Sequence, residues 1–69
     1  MQAENIKIKG WIGTWSVIKK EVVMGKTYYL LEHETYGDMT EGLIIDKDKN
    51  VILDEVWNGF NDLYEYLGL

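Results

Sequence analysis

An α+β fold, an antiparallel β-meander of four to five strands with one C-terminal α-helix packed on one face, follows from three features of the 69-residue chain. β-Branched and aromatic residues dominate the stretch from Ile6 to Leu53. Glycines and short polar runs cut that stretch into strand-length pieces. The hydrophobic period changes from two to 3.6 only after Asn58.

The elements follow in order. Ile6, Ile8, Trp11, Ile12, Trp15, Val17, Ile18, Val22 and Val23 read as one long bent strand or two, with Gly10 and Gly13 where the backbone kinks. Met24-Gly25-Lys26 predicts a tight hairpin turn, because such turns need positive φ. Thr27 to Glu34 is apolar and then alternating, the pattern of a central strand that emerges into solvent near Glu32. A loop over 35–41, centred on Gly37-Asp38, leads to a strand at Gly42 to Ile45. The wholly polar run Asp46 to Asn50 turns the chain back into Val51-Ile52-Leu53. From Asn58 onward the period is helical: Phe60, Leu63, Tyr64 and Leu67 form one stripe, with Asn58 as N-cap, Asp62 near the positive dipole end and Gly68 as the stop. A helix this short is marginal alone, so the stripe must dock on the sheet.

The chain is a single small acidic domain over residues 1–69, with no cysteine and therefore no disulfide framework or thiolate metal cage. Cytoplasmic residence is the expectation, since no stretch has the length and apolarity of a membrane span and the first ten residues lack the apolar core of a signal peptide. No cofactor is expected. Charge is divided along the chain: residues 1–26 carry net +3 and residues 27–69 carry net −8. Such a surface repels nucleic acid and attracts a basic partner. Solubility alone accounts for many charged faces, and that plainer reading stands beside the recognition one.

Three constellations bear on chemistry. Asp46-x-Asp48-x-Asn50 has the alternating oxygen ligands that open a calcium loop, but Val51 and Trp57 stand where that loop needs glycine and glutamate, so a polar hairpin turn is the better account. His33 lies between Glu32 and Glu34, yet strand geometry sends it to the opposite face from both, and no second nitrogen or sulfur ligand and no nucleophile accompanies it. It reads as a sheet-face or edge residue. The nine aromatics cannot all be buried in so small a body. Trp11, Trp15 and Trp57 are expected to fill the layer between sheet and helix, with Trp57 packing back on the first helical turns. Tyr36, in the loop, is the best recognition anchor.

The strings Tyr28-Tyr29-Leu30-Leu31-Glu32-His33-Glu34-Thr35-Tyr36-Gly37-Asp38, Leu43-Ile44-Ile45-Asp46 and Val51-Ile52-Leu53-Asp54-Glu55-Val56-Trp57-Asn58-Gly59-Phe60 resemble short proteins found on bacterial phages and mobile elements. In size and charge the chain is similar to the anti-CRISPR and related anti-defence inhibitors. No catalytic motif travels with the resemblance. It implies an inhibitor that occupies the basic nucleic-acid-binding surface of a defence nuclease.

The sequence therefore predicts a non-enzymatic acidic protein-binding module. Its partner-binding residues are Glu32, Glu34, Tyr36, Asp38, Glu41, Asp54 and Glu55, facing a basic protein surface, with no direct nucleic-acid or membrane contact. The alternative is a small accessory or structural domain that homo-oligomerises through a sheet edge.

Overall fold

The computed structural model describes residues 4–69, apart from the side chains of Glu4 and Asp38. Five strands, β1 (Glu4–Ile6), β2 (Trp15–Val23), β3 (Lys26–His33), β4 (Gly42–Asp46) and β5 (Val51–Val56), form one antiparallel sheet in sequence order. The first apolar stretch is thus two strands. Trp11 lies in the long connection that separates them, not in either strand. The β2–β3 hairpin closes through Met24 and Gly25, both at positive φ between the pair Val23 and Lys26, as a type I′ turn requires. A 3₁₀ turn at Gly37–Met39 occupies the loop before β4, and the C-terminal helix α1 spans Phe60–Leu67.

Both faces of the sheet are covered. On one, Phe60 and Leu63 of α1 pack with Val23, Tyr28, Leu30, Ile44 and Val56, and Tyr64 and Leu67 add partial cover. On the other, Ile8, Trp15, Leu31, Leu43 and Ile45 form a second core with Trp11 against it. Trp11 and Trp15 therefore fill the face away from the helix, not the layer between sheet and helix. The β1–β2 connection supplies the cover there, which lets the central strands be apolar on both sides. Gly13 in this connection lies against His33: at φ +89, a Cβ on it would stand 2.4 Å from the His33 Nε2.

The helix begins one residue later than Asn58 capping would have it. Gly59 is the N-cap, at φ 61 and ψ −140, a conformation open essentially to glycine alone. Asp62 compensates for the missing side-chain cap. Its Oδ2 accepts the backbone N–H of Trp57 at 2.9 Å and of Asn58 at 3.1 Å, the return half of a capping box displaced outward. With the cap at Gly59, Trp57 is too far from the first turn to pack on it. It follows the inward-facing Val56 and points outward, 61 % exposed. The helix closes as read from the sequence: Gly68 is left-handed, and the N–H groups of Gly68 and Leu69 return to the carbonyls of Glu65 and Tyr64.

Candidate functional site

Antiparallel pairing decides which of the acidic residues meet. The C-terminal end of β3, the start of β4 and the end of β5 lie side by side, since Leu31 pairs with Leu43 and Gly42 with Val56. Glu32 and Glu34 at the end of β3, Glu41 just before β4, and Asp54 and Glu55 near the end of β5 are therefore gathered at one end of the sheet. In sequence they form two groups separated by residues 42–53; in the fold they border one region. Tyr36 belongs to the same end and is 59 % exposed. Asp38 lies in the 3₁₀ turn there, with its side chain outside the described residues.

The β5 residues are presented by a bulge. Between the pairs Gly42–Val56 and Ile44–Leu53, the two residues Asp54 and Glu55 oppose the single Leu43. Both are exposed, and Glu55 holds φ 53, the left-handed region that a side-chain-bearing residue enters at a cost of about 1 kcal/mol. Stability alone favours glycine at that position.

The loop carrying Tyr36 is organised by His33. Its Nδ1 accepts the backbone N–H of Thr35 at 3.1 Å and of Tyr36 at 3.4 Å, which places the ring proton on Nε2. The ring stands edge-on to Trp15 and 5.1 Å from the Tyr36 ring, so an aromatic series runs from Trp11 through Trp15 and His33 to Tyr36. Of the two places the sequence allows for His33, sheet face or edge, it takes the face, in the interior strand β3. Its grip on the loop shows only once Trp15 is paired opposite it in β2.

Not every carboxylate is available to a partner. Asp62 is held below the usual carboxylate range by the N–H groups of Asn58 and Trp57. Asp46 behaves likewise: Asn50 N–H is the leading cause, and the Asp48 N–H also binds its Oδ1. The Asp46–Asn50 segment is thus a turn that spends its first carboxylate on its own backbone. Among the described residues, no group of three or more His, Cys, Asp or Glu side chains is placed to hold a metal ion. Glu21 accepts the Tyr64 hydroxyl at 2.5 Å, tying α1 to β2, and this bond is the first cause of a raised Tyr64 pKa.

Beside the acidic end, on the helix face, a cleft of about 320 Å³ opens between β2, the end of β3 and the Trp57–Gly59 connection. Ile18, Leu30, Glu32, Gly37, Val56 and Trp57 line it. Ile18 is the unpaired residue of a bulge in β2, between the partners Val17 and Lys19, and is 46 % exposed. Glu32 is partly buried at the cleft and, among the described acidic-end carboxylates, is the one that lines its apolar walls.

No helix of the described structure is long and apolar enough to cross a membrane. No curated protein and no solved structure matches the chain at a significant level. The model of one protein family, described as large polyvalent protein-associated domain 18, matches residues 1–66. The match relates the chain to domains of phages and mobile elements, in line with the resemblance of its strand segments. The chain belongs to the large polyvalent protein-associated domain 18 family.

Proposed function

We propose that this domain is a non-enzymatic binding module whose acidic end occupies a basic protein surface. The observation that carries the reading is the convergence of Glu32, Glu34, Glu41, Asp54 and Glu55 with the exposed Tyr36 at one end of the sheet. Like charges brought together oppose folding, and the left-handed backbone of Glu55 adds a local cost. A negative patch with an aromatic anchor is what a Lys- and Arg-rich surface selects, through faster encounter and a desolvated contact at its centre. Membership in a family related to phages and mobile elements makes a nucleic-acid-processing defence enzyme a fitting partner, its nucleic-acid channel blocked by the acidic end.

Self-association through a sheet edge is less well supported. The outer edge of β5 is interrupted by the Asp54–Glu55 bulge, and bulges and outward charges are the devices that keep edge strands from pairing. β1, at the opposite edge, spans three of the described residues, Glu4–Ile6.

The test compares the wild-type domain with a variant in which Glu32, Glu34, Glu41, Asp54 and Glu55 are changed to Gln or Asn. Oligo-lysine is the first probe, and capture from a host lysate the second. The variant should keep its circular dichroism spectrum, lose oligo-lysine binding and lose the captured proteins. Association that is the same for both forms and insensitive to salt would refute the proposal.

A further inference from the structure

We infer that the cleft beside the acidic end receives one arginine side chain of a partner protein, with its guanidinium on Glu32 and its aliphatic stem between Ile18 and Trp57. The inference rests on the proposed function and names the side chain that its central contact takes.

The cleft is amphipathic in a way that suits few ligands. Ile18, Leu30 and Val56 are apolar, Trp57 offers an indole, and Glu32 supplies the charge. Among the described residues no donor bonds Glu32, and none bonds Glu41, Asp54 or Glu55; Glu32 differs from these three in lining the cleft. Gly37 borders the carboxylate: a Cβ built there would meet the Glu32 Oε1 at 3.4 Å, an ordinary van der Waals contact.

The half-buried Glu32 carboxylate still reaches water, and a cation that also covers the apolar walls gains more there than water does. A hydrated metal ion needs several oxygen ligands and gains nothing from apolar walls. A long cationic side chain meets both demands, because its methylene stem covers apolar surface and its head carries the charge. Arginine suits the site better than lysine: its planar guanidinium can fork onto one carboxylate and stack on an indole, and it is more weakly hydrated. The cleft volume of about 320 Å³ accommodates one such side chain.

The test is a titration of the ¹⁵N-labelled domain with the capped peptide Gly-Gly-Arg-Gly-Gly, and with the same peptide carrying lysine or the neutral isostere citrulline at its centre. The three tryptophan indole N–H signals report two faces of the sheet, since Trp57 borders the cleft and Trp15 lies in the opposite core. The arginine peptide should move the Trp57 indole and the Ile18 and Gly37 amides while leaving the Trp15 indole in place. Its affinity should fall about tenfold in Glu32→Gln, the loss of one charge-assisted pair. Trp57→Ala should weaken it several-fold, and the lysine peptide should bind more weakly than the arginine one. Equal shifts from the citrulline or lysine peptide, or an unchanged affinity in Glu32→Gln, would overturn the inference. If oligo-lysine binds the acidic end in a salt-dependent way while the arginine peptide leaves Trp57 unmoved, the cleft assignment fails and the acidic-end reading survives. If neither probe binds, both fail.

Discussion

Truncating Leu63 to alanine tests how the helix is held. Leu63 is 0 % exposed and sits in the core of Val23, Tyr28, Leu30, Ile44, Val56 and Phe60, so its removed groups cannot be replaced by solvent. Leu→Ala deletes about three methylene equivalents, or about 2.4 kcal/mol of transfer free energy. The cavity left behind raises the cost to about 3–4 kcal/mol. A domain of 69 residues has about 3.5–10 kcal/mol in total, so a third or more of its stability depends on this side chain. Leu67, only partly buried at the end of the same stripe, should cost about 1 kcal/mol by the same reckoning. Urea unfolding followed by tryptophan fluorescence should show the midpoint falling steeply for Leu63→Ala and modestly for Leu67→Ala, with similar slopes. An eight-residue helix has little stability of its own, so near-UV signals from the helix face should weaken in the first variant. A wild-type midpoint for Leu63→Ala, or equal losses at the two positions, would refute the docking of α1 through Leu63.

Other expectations follow from the same geometry. Trp57→Ala should change stability by less than about 1 kcal/mol, because the ring is largely in solvent; a fall of several kcal/mol in chemical denaturation would restore it to the core. Tyr36→Ala should weaken partner binding by more than about 1 kcal/mol at nearly unchanged melting temperature, read by calorimetry on the captured partner. Glu55→Gly should leave the fold as stable or more stable by up to about 1 kcal/mol, since it relieves the left-handed backbone, while slowing association with a basic partner; a destabilised variant would contradict the bulge geometry. Asp62→Asn probes the helix start. The folded-state pKa of Asp62 is lowered, so its stabilisation is fully present above the unfolded carboxylate range near about pH 4 and is lost as pH falls through the folded value; the gap between wild type and variant should close in acid melts. For Tyr64 the sign is opposite: its raised pKa means that the difference from Tyr64→Phe is present below about pH 10 and shrinks as pH climbs through the folded value.

Strands β2 to β5, the turns between them and the helix stripe were legible because each depends on near neighbours in sequence, whereas the division of the first apolar stretch into β1 and β2 was left open. Period-two apolar runs, the Met24-Gly25 pair and the spacing of Phe60, Leu63, Tyr64 and Leu67 each report a local backbone state. The division of charge at residue 26 is likewise a property of the chain itself. What covers a face is not local. Ile8, Trp11 and Trp15 were readable as apolar, but only the tertiary structure sends them to the side away from α1 and builds a second core there. The same holds for Trp57, whose exposure follows from a cap at Gly59 that the favourable side chain of Asn58 concealed, and for Asp62, diverted from the surface to its own backbone. The acidic end has both origins. Its charges are written in Glu32, Glu34, Glu41, Asp54 and Glu55, yet their meeting depends on the pairing of β3 with β4 and of β4 with the bulged β5, because antiparallel register alone decides which strand ends become neighbours.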